Sequence, residues 1–158
     1  MMMGKREEYA MENHAKRAAE LFREGCNCAQ AVFTAYCDLT GLDERTAMRI
    51  AASFGGGMGR MREVCGGVSG ALMALGMLCA PDDPGDQAAK AAHYARVQEL
   101  ARRFRERNGS IICRELLGEK AGSGHVPEAR TEEYYRMRPC ERMVFDAAEI
   151  LEEMLKEM

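Results

Sequence analysis

Apolar residues recur at helical spacing along most of this chain, and no window alternates apolar and polar residues as a half-buried strand does. The clearest stripe lies near the C-terminus and consists of Val144, Ala147, Ala148, Leu151, Met154 and Leu155. Trp is absent and Pro is rare, which also favours helix over sheet. With 158 residues, 47% of them apolar, the chain can bury one core. We therefore predict an all-α fold, a compact single-domain bundle of about five to seven helices spanning residues 1–158.

Capping residues and helix breakers delimit the predicted helices. In chain order these are residues 7–23, a helix from the N-cap Asn27 to about Gly41, a short helix after Asp43, residues 68–80, residues 86–107, a short helix capped by Ser110, and a final helix with Pro139 in its first turn. Ile50 is expected to point inward from the helix after Asp43. Residues 118–131 are polar and rich in Gly, and are predicted to form a surface loop.

Charge and hydropathy exclude several classes of function. A net charge of -3 and a pI near 5.7 argue against a nucleic-acid partner, which requires a surplus of Lys and Arg. The N-terminus has no signal-type apolar core, and no later window could span a membrane. We therefore expect a cytoplasmic protein. Thiols stay reduced in that compartment, so the seven cysteines are expected to bind metal or to do redox work.

Four of the cysteines are predicted to lie at helix starts. Cys28, Cys113 and Cys140 fall in first turns, and Cys65 lies just before a helix, in a glycine-rich approach. Helix N-termini carry partial positive charge and unpaired N–H groups, which lower thiol pKa values and stabilise thiolates or an anionic metal–sulfur centre. These four residues are therefore predicted to converge on one site.

The spacing of these cysteines excludes several common sites. They are separated by 26 residues or more, without the C-x2-C knuckles of a zinc ribbon, the C-x-x-C of a thioredoxin-like site, or the C-x-x-C-H of haem attachment. Cys37 and Cys79 lie at helical spacing from apolar residues and are interpreted as small core residues. Cys26 is either an exposed thiol or an auxiliary partner of the site.

The segments around the four cysteines match a known pattern in order over most of the chain. They are Asn27-Cys28-Ala29-Gln30-Ala31-Val32, Phe54-Gly55-Gly56-Gly57-Met58-Gly59, Cys65-Gly66-Gly67-Val68-Ser69-Gly70, Cys113-Arg114-Glu115-Leu116-Leu117-Gly118 and Cys140. These segments resemble the C_GCAxxG_C_C (CGAxxG-motif) family, for which a redox role is proposed. The resemblance implies that the four characteristic cysteines of the family are Cys28, Cys65, Cys113 and Cys140. Gly67 departs from the motif, which has Ala there and so a firmer helix start.

Three functions remain open for the four cysteines. They could ligate an iron–sulfur cluster for electron transfer, which we favour because convergent helix N-termini offset the negative charge of a cluster. They could instead work in pairs as dithiol and disulfide. A third alternative is a helical interaction module with a structural four-cysteine zinc site. Whether the protein is an enzyme stays open. Its partner would be an electron donor or acceptor, and methionines near the C-terminus suggest a homodimer.

Glycines near the cysteines are predicted to bind the cofactor. Their small size lets backbone N–H groups approach sulfur, and the candidates are Gly56, Gly57, Gly59, Gly66 and Gly67. A flexible connector is the equally weighted alternative. The stretch lacks the Lys-Ser/Thr ending of a P-loop.

Charged residues near Cys65 are candidates for tuning thiolate pKa values, namely Arg60, Arg62 and Glu63. Solvated surface charge is the favoured alternative for them. The three histidines are isolated in sequence and are not predicted to form a metal set. His93 lies on an apolar stripe and is interpreted as a core histidine.

Overall fold

Helix dominates the fold in a computed structural model that describes residues 13–158. The helices are α1 His14–Arg23, α2 Cys28–Ala35, α3 Cys37–Thr40, α4 Glu44–Ala51, α5 Gly55–Met58, α6 Gly66–Cys79, α7 Gln87–Asn108, α8 Cys113–Leu117, α9 Glu132–Met137 and α10 Cys140–Glu157. Within residues 13–158 there is no β-strand, only an isolated antiparallel bridge between Val64 and Ile112. The all-α prediction is confirmed. Six helices of the described part have eight or more residues, and the short helices between them raise the total above five to seven.

Side-chain caps begin several helices where the sequence predicts them. Asn27 accepts a hydrogen bond from the Gln30 N–H while the Gln30 side chain accepts one from the Asn27 N–H, which is a complete capping box. Asp43 caps α4 and Asp86 caps α7 with a single side-chain bond each, from the N–H groups of Thr46 and Ala89. Residues 7–12 of the predicted first helix lie outside the described residues. The described helix starts at His14, after Asn13 as its cap.

Three local predictions are wrong. Ile112, not Ser110, precedes α8, because residues 111–113 run extended beside residues 63–65; Ser110 instead accepts a hydrogen bond from the Ile112 N–H at 2.9 Å. Pro139 is the N-cap of α10 rather than part of its first turn, so Cys140 is the first helical residue. Ile50 is 47% exposed, because only Ala47 and Ala51 of α4 are buried.

The core forms where α2 and α10 pack against their neighbours. α10 contacts α1, α6, α2 and α7, and α2 contacts α1, α6 and α4. α2 and α6 approach closely because Gly70 presents no side chain to the backbone of Ala29. This packing brings the N-terminal ends of α2, α6 and α10 to the same region, which positions the cysteines.

A buried histidine links three helices on the other side of the core. His14 is 2% exposed, and its two ring nitrogens lie 2.7 Å from Glu152 Oε1 and 2.9 Å from Asp38 Oδ2. Its ring stacks on Tyr36 at 4.3 Å, and the Tyr36 hydroxyl donates to the carbonyl of Ala148 at 2.6 Å. Burial lowers the pKa of His14, but the hydrogen bonds and charges of Asp38 and Glu152 outweigh burial and raise it above 6.5.

This cluster makes stability depend on pH. Because the folded-state pKa of His14 is raised, its contribution is complete below the unfolded pKa of about 6.5 and is lost as pH rises through the folded value. We expect His14→Gln to lower the free energy of unfolding by about 3 kcal/mol at pH 6, since it leaves two partly buried carboxylates unpaired. The difference from wild type should shrink toward pH 9 in urea titrations. A difference independent of pH would contradict the assignment.

Candidate functional site

Four cysteines from four separate segments line one cavity of about 230 Å³. Cys28, Cys113 and Cys140 are the first residues of α2, α8 and α10, and Cys65 immediately precedes α6. Cys65, Cys113 and Cys140 are 6–8% exposed, whereas Cys28 is half-buried. The structure therefore brings together the four residues that the sequence singles out, each at a helix start. All seven cysteines of the chain are free thiols.

A short extended pairing sets Cys65 beside Cys113. The Cys65 N–H donates to the carbonyl of Ile111 at 2.7 Å, and the Cys113 N–H donates to the carbonyl of Glu63 at 2.6 Å. The bridge between Val64 and Ile112 lies between these two bonds. Two cysteines separated by 47 residues in sequence thus become neighbours through backbone hydrogen bonds alone.

Close contacts of α2 with α6 and α10 bring in the other two cysteines. A Cβ on Gly66 would lie 3.0 Å from Cys28 Cβ, so the absent side chain lets Cys28 approach the start of α6. The Cys28 and Cys140 thiols interact, because each of them shifts the pKa of the other. Cys28 is thereby the link between Cys65 and Cys140.

The glycine-rich segment labelled α5, with the two residues after it, forms a left-handed turn rather than a regular α-helix. The φ angles of residues 56–60 are all between 58° and 70°, and Met58, Arg60 and Arg62 adopt positive φ although they carry side chains. Left-handed backbone at a residue with a side chain is strained and tends to occur at functional sites. The turn is closed by hydrogen bonds from the Arg62 N–H to the Gly56 carbonyl and from the Glu63 N–H to the Gly57 carbonyl.

The predicted cofactor-binding glycines fall into two groups. Gly56, Gly57, Gly59 and Gly66 line the cavity, and Gly57 packs against Cys113. Gly67 instead faces α10, where a Cβ would lie 3.4 Å from the Met143 carbonyl. Its N–H still contributes to the site, because it favours the thiolate of Cys65 together with the N–H of Val68.

Only one thiol of the site has a lowered pKa. The hydrogen bond from Cys28 lowers the pKa of Cys140 to about 7 against the opposing effect of burial, and the guanidinium of Arg138 lowers it further. The same hydrogen bond and burial raise the pKa of Cys28 well above its ordinary value. Cys140 is therefore the more acidic thiol of the pair.

Burial dominates the other two thiols. It raises the pKa of Cys65 to about 12, although the N–H groups of Val68 and Gly67 oppose the shift. It also raises the pKa of Cys113, despite a hydrogen bond at 3.7 Å from Arg62 Nη1. The expectation that helix starts lower all four thiol pKa values is therefore wrong for Cys28, Cys65 and Cys113.

The predicted surface loop of residues 118–131 also forms part of the cavity. It has no helix beyond one short 3-10 turn, as expected, but His125, Pro127, Glu128 and Arg130 line the cavity. Glu128 Oε1 accepts from Arg60 Nη2 at 2.7 Å and from Arg138 Nη2 at 2.8 Å. One carboxylate thus ties the loop to both the left-handed turn and the residue before Pro139.

The guanidinium of Arg130 is held by backbone carbonyls near the end of α1 and just before α2. It donates to the carbonyls of Phe22 and Cys26 at 3.1 and 3.0 Å and lies 4.4 Å above the Phe22 ring. Tyr134 lies on its other side at 5.0 Å and also lines the cavity. Sequence reasoning missed Glu128, Arg130 and Arg138. The available signal was a set of charged residues in a polar, Gly-rich segment close to Cys140.

One of the charged candidates near Cys65 does tune a thiol of the site, because Arg62 lowers the pKa of Cys113. Arg62 contacts Cys113 rather than Cys65, and Arg60 pairs with Glu128. Glu63 pairs with Arg114 at the surface, so its side chain is not part of the cavity lining. His93 is half-buried rather than a satisfied core residue, and its Nδ1 atom has no hydrogen-bond partner.

The remaining cysteines lie away from the cavity. Cys26 is buried with its sulfur 3.7 Å from Met48 Sδ, so it is neither an exposed thiol nor a lining residue. Cys37 and Cys79 are half-buried against the core, in keeping with a packing role. Cys79 lies 3.7 Å from Met158 Sδ.

The described residues contain neither a single-ion metal site nor a membrane-spanning helix. Within residues 13–158, no three His, Cys, Asp or Glu side chains are placed to hold a single metal ion. None of the helices in this part of the chain is long and apolar enough to cross a membrane.

Comparison with protein families gives one match. The family model described as "Putative redox-active protein (C_GCAxxG_C_C)" matches residues 26–154. The chain belongs to this family. The matched region includes all four cavity cysteines and ends within α10. Neither the curated proteins nor the solved structures contain a match to the chain. Membership of the C_GCAxxG_C_C family thus supports redox activity in general terms, but it does not specify a mechanism.

Proposed function

We propose that Cys28, Cys65, Cys113 and Cys140 ligate one iron–sulfur cluster through which the protein transfers electrons. The observation that carries this proposal is that four cysteines from four separate segments line a single cavity. Four thiolates are the usual ligand set of an iron–sulfur cluster, whereas dithiol chemistry needs only two. An iron–sulfur cluster therefore gives all four cysteines a role as ligands.

The charge of the cavity favours such a group. A thiolate-ligated cluster is anionic, and four arginines line the cavity against the single carboxylate of Glu128; they are Arg60, Arg62, Arg130 and Arg138. The four cysteines surround a cavity rather than converge on one point, in accord with the lack of a single-ion site among the described residues. A cluster has several irons, so its cysteines need not meet at one atom.

A bound cluster would supply one-electron transfer, and the surrounding residues would adjust its potential. The N–H groups of Gly67 and Val68 stabilise negative charge on Cys65, and Arg62 does the same at Cys113. Because reduction adds negative charge, these donors favour the reduced state and raise the reduction potential. Burial of three of the four cysteines restricts access of solvent to their sulfurs.

A dithiol function is the second candidate, and the Cys28–Cys140 pair favours it. Cys140 has a pKa of about 7 and Cys28 lies in hydrogen-bond contact with it, as a nucleophile and a resolving thiol require. The two thiols would give two electrons and two protons to a disulfide of a partner, forming one S–S bond while the partner's disulfide becomes two thiols. Cys65 and Cys113 have no assigned role in this reaction.

Metal and sulfide analysis of protein purified without oxygen tests the proposal. We expect iron and sulfide in stoichiometric amounts and a visible absorption band for wild type. Cys65→Ser should lose both, whereas Cys79→Ser, a half-buried cysteine outside the cavity, should retain both. Circular dichroism checks that each variant folds. Two results together would favour the dithiol function over the cluster. Wild type would contain no iron or sulfide, and oxidation would remove two thiols in wild type but not in Cys140→Ser. Stoichiometric zinc would contradict both.

A further inference from the structure

Arg62 is a buried guanidinium with one group left without a partner. The residue is 9% exposed, its Nε donates to the carbonyl of Gly122 at 3.1 Å, and its Nη1 donates to Cys113 Sγ. Within residues 13–158, its Nη2 is buried and has no hydrogen-bond partner. The nearest carboxylate oxygen, Glu128 Oε1, lies 3.7 Å away, beyond hydrogen-bond distance. Buried polar groups are nearly always satisfied, so this N–H group points to a missing acceptor.

The cavity that Arg62 lines has a surplus of positive charge. Among the described residues of the lining, Glu128 is the single carboxylate, and it is already shared by Arg60 and Arg138. Arg130 is held by two backbone carbonyls, which leave its charge uncompensated. Even with the Cys140 thiol ionised, arginines outnumber the negative groups of the lining. An anionic ligand would balance this charge, whereas a neutral ligand would not.

The size of the cavity limits the anion. Its volume of about 230 Å³ is many times the roughly 10–15 Å³ that a cavity needs to hold one water molecule. It can therefore hold a compact tetrahedral oxyanion together with water. Guanidinium groups suit such ligands, because their planar set of N–H donors matches the oxygens of sulfate or phosphate.

We propose that the cysteine cavity of the cluster-free protein is a binding site for a small inorganic oxyanion, held by the four arginines that line it. This inference goes beyond the proposed electron-transfer function, because it assigns a ligand class to the protein without its cluster. The oxyanion and an anionic cluster compete for the same arginines, so loading of the cluster expels the oxyanion.

Calorimetric titration with sodium sulfate tests this site in reduced, cluster-free protein. Sodium chloride at the same ionic strength serves as the reference. We expect saturable binding of one sulfate per chain and a rise in the thermal unfolding midpoint. Arg62→Gln should weaken binding at least tenfold, and Arg62→Lys, which keeps the charge but not the planar donor set, should weaken it less. Arg49→Gln removes an exposed arginine of α4 and should bind sulfate as wild type does.

Two results would overturn the oxyanion site. One is the lack of saturable sulfate binding by the folded wild-type protein. The other is equal affinity of wild type and Arg62→Gln. Because Arg62→Gln could disturb the fold, Arg60→Gln provides a second variant, expected to weaken binding through loss of one cavity charge. Iron and sulfide content is measured on a separate anaerobic sample, so a failure of the cluster proposal and a failure of the oxyanion site give different results.

Discussion

Gly70→Ala is expected to lower the free energy of unfolding by about 3 kcal/mol, because overpacking at a backbone contact cannot be relieved by a rotamer change. A Cβ at this position would lie 2.6 Å from the carbonyl oxygen of Ala29 and 3.1 Å from Val32 Cβ. The carbonyl belongs to the backbone of α2, so α2 and α6 would have to separate. That movement also displaces Cys28 from the start of α6, and urea unfolding measures the loss.

Gly76→Ala is the matched control for this prediction. Gly76 lies on the same helix, and a Cβ there would meet no atom within 4 Å. Since Ala favours helix over Gly, we expect a gain of about 0.5–1 kcal/mol. If Gly70→Ala unfolded within about 0.5 kcal/mol of wild type, the close approach of α2 and α6 would be wrong.

Gly57→Ala is expected to disrupt the cysteine site itself. Gly57 has φ of 67°, and a Cβ would lie 2.6 Å from the N atom of Glu63 and 2.8 Å from Cys113 Cβ. The left-handed backbone costs a residue with a side chain about 1 kcal/mol, and the two contacts bring the expected loss of stability to about 3 kcal/mol. The variant should also expose Cys113, so we expect faster alkylation of this residue, measured by peptide mass spectrometry.

Gly59→Ala separates the effect of backbone strain from that of the contacts. Its φ is 58°, but the nearest atom to its Cβ, the Ser53 carbonyl oxygen, is at an ordinary 3.8 Å. We expect it to cost about 1 kcal/mol and to leave the alkylation rate of Cys113 unchanged. Equal losses for the two variants would show that Gly57 has no special role beside Cys113.

Features that depend on neighbouring residues could be predicted from the sequence. Asn27 and Asp43 cap their helices because a cap is a contact between residues three apart, which the local sequence contains in full. The same reasoning places Cys28 and Cys65 at helix starts. The prediction of Ser110 as a cap failed because it ignored a distant contact. Ile112 pairs with Val64, almost fifty residues away, and this pairing keeps the chain extended past Ser110.

The pKa values of the thiols could not be predicted in this way. A helix start favours a thiolate, but burial among other side chains opposes it, and burial depends on the packing of distant helices. Cys140 has a lowered pKa because its interactions with Cys28 and Arg138 outweigh burial, whereas burial dominates at Cys65 and raises its pKa.

By itself, the sequence determined the all-helical fold, the helix starts at which the four cysteines lie, and the family to which the chain belongs. Each of these depends on periodicity, caps or motifs, which are short-range properties. Only the tertiary structure decided that His125, Pro127, Glu128 and Arg130 line the cysteine cavity and that Glu128 joins Arg60 and Arg138. It also decided that Arg62 has an N–H group without a partner among the described residues. Those contacts join segments that are far apart in the chain, and they form only when α2, α6 and α10 pack together.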